Sequence, residues 1–353
     1  MECTMNNMLA IARRMEASDL HISVGTRPKV RILGELEELQ EFERIDPALA
    51  EELVKSMMKP DQIKIYDETG EMDFSYSVIN TGRFRVNAFK QRGTCGAVLR
   101  LINTEIPTPE KLGIPPSVMD ICNRKRGMVL VTGPTGSGKS TTLAAMINAI
   151  NSKRKAHIIT LEDPIEYLHY HKLCNVNQRE IGIDTLSFAN ALRASLREDP
   201  DIILVGEMRD PETIQTAITA AETGHLVFST LHTIGAAPTI DRIIDSFPPH
   251  QQTQIKVQLS MVLECVVSQQ LLPTMDGKKR VAAFEVMLST SAISNLIREG
   301  KTHQIPSHIQ TSKKMGMVMM DDFLFDLYVQ RKIDASKAVE FAQDPDAMRN
   351  KVL

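Results

Sequence analysis

Residues Met128 to Ser140 read M-V-L-V-T-G-P-T-G-S-G-K-S, an apolar run that passes directly into a glycine-rich octet. The run M-V-L-V-T is short, continuous and rich in branched side chains, which predicts a parallel strand buried on both faces. The octet, Gly133, Pro134, Thr135, Gly136, Ser137, Gly138, Lys139 and Ser140, fills every position of G-x-x-x-x-G-K-[ST]. From Thr141, T-T-L-A-A-M-I-N-A-I carries an apolar stripe at helical spacing. Strand, glycine loop and helix in that order predict an α/β domain with a phosphate site at its strand ends. The glycines let backbone amides curl around phosphates, and Lys139 reaches the β and γ oxygens. The Ser140 hydroxyl can ligate Mg2+, and Thr141 is placed to touch the α-phosphate.

Carboxylates follow at the expected places. The apolar strand D-I-I-L-V-G-E ends in Glu207, the position of the acid that holds the magnesium shell in phosphate-loop proteins. Between loop and acid, H-I-I-T-L runs into E-D-P-I-E-Y, which sets Glu162, Asp163 and Glu166 at or just past a third strand end. Any of the three can orient an attacking water, and the residues alone do not choose among them. In T-G-H-L-V-F-S-T-L-H-T a further strand has His225 at its entrance and His232 at its exit. His232 is expected on the phosphate edge, where it can sense a γ-phosphate.

The surrounding chain bounds the reading. Its 353 residues suit two domains at roughly 100 to 200 residues each. With 42% hydrophobic and 24% charged residues it is an ordinary folded composition, neither disordered nor fibrous. The net charge of −3 and 5% aromatics supply no phosphate-neutralising surface and no stacking platforms, against a nucleic-acid partner. The longest apolar stretch, Ile255 to Leu272, is broken by Lys256, Gln258, Glu264 and Gln269, so no direct membrane span is expected. The first residues, M-E-C-T-M-N-N-M-L-A, carry no basic and apolar leader pattern, which predicts a cytoplasmic protein. Cys3, Cys95, Cys122, Cys174 and Cys265 are scattered and never form C-x-x-C, which argues against disulfides and structural zinc.

In the N-terminal third, helical spacing from Asn6 to Met15 gives way to alternation in S-D-L-H-I-S-V-G, K-V-R-I-L-G-E-L, M-D-F-S-Y-S-V, G-R-F-R-V-N-A-F-K-Q-R-G and A-V-L-R-L-I. An α+β domain over residues 1–101 is expected. Residues 102–117, with Pro107, Pro109, Pro115 and Pro116, suit a stiff extended connection. Arg83 and Arg85 should project from one sheet face, with Arg92 and Arg100 near by in sequence. Residues 118–288 are expected to form the phosphate-binding core. Residues 289–353, with A-I-S-N-L-I-R-E, M-D-D-F-L-F-D-L-Y-V and K-A-V-E-F-A-Q, are expected to form a helical C-terminal subdomain. The methionines Met315, Met317, Met319 and Met320 suit adaptable core packing.

Taken together and in order, G-P-T-G-S-G-K-S-T, T-L-E-D-P-I-E-Y, L-R-E-D-P-D-I-I-L-V-G-E-M-R-D and T-G-H-L-V-F-S-T-L-H-T resemble the four nucleotide-site boxes of the secretion ATPase superfamily. From S-D-L-H-I to I-R-E-G-K-T-H-Q-I-P the likeness is to its type IV pilus retraction branch. The resemblance implies a PAS-like N-terminal domain on a RecA-like motor domain, assembled as a homo-hexamer that hydrolyses ATP with Mg2+ to withdraw pilin. It further implies a platform protein of the pilus in the inner membrane as partner, and a place at the inner face of that membrane. By position it makes Glu166 the water-activating acid, Glu207 the Walker B acid, and His225 and His232 the histidine box. It implies arginines of the N-terminal domain at the nucleotide, Arg85 and Arg100 first, then Arg83 and Arg92, and a hinge at the proline-rich connection. One departure stands out: Ser294 occupies the place of the first arginine in the A-I-R-N-L-I-R-E box, while Arg298 is kept. Alternatives are an accessory paralogue, an extension or type II secretion ATPase, a nucleic-acid translocase, and a non-catalytic nucleotide-binding scaffold.

Overall fold

In the computed structural model, which describes residues 3–32, 34–79, 81–102 and 105–352, the chain divides into two units, Met1–Thr104 and Glu105–Leu353. Residues 1 and 2, and residues 103 and 104 of the expected connection, lie outside the described residues.

The first unit contains α1 (Met5–Arg14), β1 (Asp19–Ile22), β2 (Lys29–Ile32), β3 (Glu35–Glu38), α2 (Pro47–Lys55), α3 (Pro60–Thr69), β4 (Glu71–Val78), β5 (Gly82–Gln91) and β6 (Thr94–Leu101). Its sheet runs β3-β2-β1-β6-β5-β4, antiparallel throughout. The alternating strands turn Leu20, Ile22, Val30, Phe84, Val86 and Leu99 into one apolar core with Met8, Leu9 and Ala12 of α1. The stretch K-V-R-I-L-G-E-L is two paired strands rather than one, because Gly34 takes φ +94 and turns the chain. Helices α2 and α3 escaped the periodicity reading. Their starts are nonetheless local: Asp46 caps α2 by accepting from the Leu49 amide at 2.8 Å, and each helix opens on a proline.

The second unit begins with α4 (Pro109–Leu112) and α5 (Pro116–Asp120), where the sequence suggested an extended connection. Their prolines stand at the first helical position, which lacks an intrahelical acceptor for its N–H in any case. Ile114, Val118, Ile121 and Cys122 are buried against the core of the seven-stranded sheet, which is what draws this segment into helices. There follow β7 (Gly127–Thr132), α6 (Lys139–Lys153), β8 (His157–Glu162), β9 (Asn175–Glu180), α7 (Phe188–Ser195), β10 (Ile202–Val205), α8 (Pro211–Glu222), β11 (Leu226–Leu231), α9 (Ala236–Asp245), α10 (Pro249–Val262), β12 (Leu263–Pro273) and β13 (Arg280–Leu288). The chain closes with α11 (Ser291–Glu299), α12 (Ile305–Thr311), α13 (Met320–Val329), α14 (Ala335–Phe341) and α15 (Pro345–Val352).

Seven strands lie in the order β13-β12-β7-β11-β10-β8-β9. All neighbours are parallel except β12 and β13, so this is a RecA-like sheet with an antiparallel edge. Strand β7 is buried along its whole length. Met128 and Leu130 enter the apolar layer that holds α8, α9 and α10, while Val129 and Val131 enter the one that holds α6. Burial of both faces is what keeps the strand uniformly apolar. The C-terminal helices serve two layers: Ile293, Leu296, Ile305 and Ile309 of α11 and α12 join the first, and Met320, Leu324, Leu327 and Ala338 form a separate cluster on Leu272 and Ala283. Met317 and Met320 are buried, whereas Met315 is exposed. Ser294 is half-buried on α11, its hydroxyl 3.2 Å from that of Ser289. Among the described residues, no helix is long and apolar enough to cross a membrane.

Candidate nucleotide site

The glycine loop joins the carboxyl end of β7 to the amino end of α6, as its residue order requires. Two of its glycines are dictated by packing as well as conformation. A Cβ on Gly133 would stand 2.1 Å from the Gln269 carbonyl oxygen, and one on Gly138 2.8 Å from the Gln269 amide nitrogen. Gly138 also holds φ +89 and caps α6 with no side-chain hydrogen bond, so the first amides of that helix are left to an anion. Lys139 folds back on the loop, its Nζ donating to the carbonyls of Gly133 at 2.8 Å and Pro134 at 3.0 Å. Burial pulls the Lys139 pKa down, and the nearby Glu166 and Glu207 act against it. The Thr141 hydroxyl lies 3.0 Å from that of Tyr167.

The three acids of E-D-P-I-E-Y part company here. Glu162 ends β8 and accepts from Thr160 Oγ1 at 2.6 Å and Gln178 Nε2 at 3.0 Å. Burial nevertheless pushes its pKa up. Glu166 is exposed to the cleft. Glu207, just past β10, has Oε1 2.7 Å from Arg209 Nε and Oε2 3.4 Å from His232 Nε2. Arg209 was not among the residues picked out by motif, although it stands within the quoted G-E-M-R-D. In the same box Asp210 caps α8 through the Thr213 amide at 2.8 Å and hydroxyl at 2.7 Å, a structural task worth about 1 kcal/mol.

These groups line one cavity of 480 Å³, within the range of small-molecule and cofactor pockets. Lys139, Ser140, Glu166, Glu207 and His232 line it together with Leu143, Ala144, Tyr167, His169, Leu271 and Arg280. Burial pulls His169 down to about 4, so its ring is neutral at pH 7 and lines the cavity as an uncharged surface. Tyr167 and His169 lie just beyond the carboxylates, and a search for polar residues flanking E-D-P-I-E would have found them. The donor set fits a nucleotide: a bare helix amino end, a lysine, two hydroxyls and carboxylates that leave a phosphate chain room between them.

Not every candidate is brought here. His225 precedes β11, at the edge of the sheet where Leu226 pairs with Gly127. The phosphate loop leaves from the opposite end of that strand pair, about 20 Å away at the rise of an extended strand. The His225 ring bonds the Ala220 carbonyl at 2.9 Å instead, so within this chain it is a helix-end partner and not a wall of the cleft. The four arginines belong to the first unit. Arg85 and Arg100 are direct cross-strand partners, a like-charge pairing that costs stability by itself. Asp19, the next residue across the ladder, offsets it with a 2.9 Å contact to Arg100 Nε. Arg83 is on the same strand two residues earlier, and Arg92 sits in the β5–β6 turn with φ +48.

Glu162 supplies a test of this electrostatic picture. A carboxyl whose pKa is raised in the fold binds its proton more tightly there than in the unfolded chain. The stability it permits is therefore complete below the ordinary value of 4.5 and is lost as pH rises through the folded value. Glu162→Gln removes that titration, so the wild type should lose stability relative to the variant as pH rises from 4.5 upward. Urea midpoints of the two proteins between pH 4.5 and 8 check it; parallel curves would contradict the assigned burial.

The family described as Type II/IV secretion system protein matches residues 1–315. The chain is 48% identical over 342 residues to the type IV pilus retraction ATPase PilT of Pseudomonas aeruginosa, covering 97% of this chain and 99% of that protein. It is 50% identical over 324 residues to a twitching motility protein of Neisseria gonorrhoeae, covering 91% of this chain and 86% of the relative. A crystal structure of the pilus retraction motor PilT with bound ADP superposes with a TM-score of 0.91 at 49% identity, covering 98% of this chain and 99% of that one.

Proposed function

The chain belongs to the type II/IV secretion system protein family, and we propose on that premise that it is the motor that retracts type IV pili. It is a P-loop ATPase. The retraction reading is carried by one observation: the likeness to retraction ATPases extends over nearly the whole chain, both units included, and not over the nucleotide core alone.

In this reading Lys139 and the loop amides hold the phosphates of ATP, and Glu166 accepts a proton from the attacking water. Mg2+ would be held by the Ser140 hydroxyl and Glu207, where it neutralises charge on the phosphate oxygens. No group of three metal-ligating side chains occurs among the described residues. His232, on Glu207, reports the state of the γ-phosphate. Arg85 and Arg100, with Arg83 and Arg92 behind them, are the cationic groups proposed to act on bound nucleotide in a homo-hexamer. The protein would then work in the cytoplasm against an inner-membrane platform protein of the pilus. A second reading, an accessory retraction paralogue, is favoured by Ser294.

The test has two arms. The purified protein should run as a hexamer by light scattering and turn over ATP only with Mg2+. Expressed in a type IV piliated strain whose retraction motor is deleted, it should restore shortening of fluorescently labelled pili. A Mg2+-dependent hexameric ATPase that leaves pili at full length would sink the retraction reading and favour the paralogue.

A further inference from the structure

Strand β12 passes beneath the phosphate loop, and one of its residues hydrogen-bonds both that loop and the first turn of α6. Gln269 is 3% exposed. Its Nε2 donates to the Ser137 carbonyl at 2.7 Å, and its Oε1 accepts from Thr142 Oγ1 at 2.7 Å. Its backbone carbonyl leaves no room for a Cβ on Gly133, and its side-chain nitrogen would have to move to admit one on Gly138. In the sequence this glutamine only interrupts an apolar run. In the fold both ends of its amide are satisfied by groups that would otherwise be buried without partners.

The consequence lies in one peptide plane. The carbonyl of Ser137 and the N–H of Gly138 belong to the same trans peptide, in which the two point in opposite directions. Holding the Ser137 carbonyl down toward β12 therefore turns the Gly138 N–H away from β12, to the side on which the cleft lies. Gly138 has the conformational freedom to let that plane turn over, and nothing in its own side chain resists the turn. We propose that Gln269 is a positioning residue for nucleotide binding: its side-chain amide pins the Ser137–Gly138 peptide so that the Gly138 N–H faces the phosphates. This rests on the nucleotide-site reading above. It adds to that reading a residue that touches no ligand and acts only through the loop.

The test compares wild type, Gln269→Met and Gln269→Glu. Met keeps the volume and removes both hydrogen bonds. Glu keeps an acceptor for Thr142 but sets a carboxylate oxygen against the Ser137 carbonyl, which drives the peptide the wrong way. ADP affinity by calorimetry should fall in the order wild type, Met, Glu, by about ten- to a hundredfold across the series. In steady state the KM for ATP should rise by a similar factor, with kcat at saturation within about threefold, because the loss is shared by ground and transition states. If both variants melt at lower temperature but bind ADP as tightly as wild type, Gln269 serves the fold only and the proposal is overturned. Equal weakening by Met and Glu would also overturn it, since peptide orientation predicts that Glu is worse. Should Gln269→Glu fail to fold, the KM and kcat split of Gln269→Met decides alone. Failure of wild type itself to bind ADP would instead strike the nucleotide-site reading, which keeps the two failures distinct.

Discussion

Glu166→Gln is expected to lower ATP turnover by about 10²- to 10⁴-fold, the contribution of a positioned general base, while ADP affinity stays close to that of wild type. The amide has the size of the carboxylate and can still bond a water, but it cannot accept the proton that the water must lose. Binding is spared because Glu166 lies on the open side of the cleft and carries the same charge as the phosphates. Removing that charge should, if anything, tighten ADP slightly. Phosphate release at saturating ATP and calorimetric titration with ADP give the two numbers. Unchanged turnover would move the role to Asp163, which lines the same cavity. Glu162 lines that cavity too but is the less suited replacement, because its Oε1 already accepts from Thr160 and Gln178.

Lys139→Met is expected to act in the opposite sense, on binding first. Lys139 is 9% exposed and is the cation of the loop. Replacing it removes charge-assisted hydrogen bonds to phosphate worth about 1.5 to 3 kcal/mol, or roughly ten- to a hundredfold in ADP affinity, and turnover should fall to background. Its effect on the fold should be different. Burial disfavours the charged lysine and pulls its pKa down, so holding the ammonium in the loop costs some stability. A methionine of similar length is therefore expected to leave the nucleotide-free protein at least as heat-stable as wild type while abolishing the rise in melting temperature on adding ADP. A large drop in the nucleotide-free melting temperature would mean that the bonds to the Gly133 and Pro134 carbonyls hold the loop together, against the view that this residue serves binding at the expense of stability.

The chemistry at the strand ends was legible in the linear chain because it is local. A phosphate loop is made of backbone amides, and the glycines that free them must stand at fixed spacing between a strand and a helix; G-P-T-G-S-G-K-S states all of that in eight letters. The uniform apolarity of M-V-L-V-T likewise announced a strand covered on both faces, and β7 feeds two different apolar layers. Alternation in the first third located its strands for the same reason, since side chains of a strand report their face every second residue.

Other features depend on which segments meet, and spacing along the chain carries no record of that. Glu162 and Glu166 look alike in E-D-P-I-E-Y and both line the cleft, but only the fold brings Thr160 and Gln178 to hydrogen-bond the half-buried Glu162 and leaves Glu166 exposed. His225 and His232 flank one strand, and a parallel sheet sends its two ends to opposite edges, so only His232 reaches Glu207. The prolines of residues 109–120 suggested extension because proline breaks helices within their interior. They begin two short helices here because the core offers Ile114 and Val118 a place to bury. Gln269 shows the limit most clearly. In the chain it is a polar interruption far from the loop it supports, and only the parallel pairing of β12 with β7, which brings Ser268 beside Thr132, makes it the floor of the phosphate site.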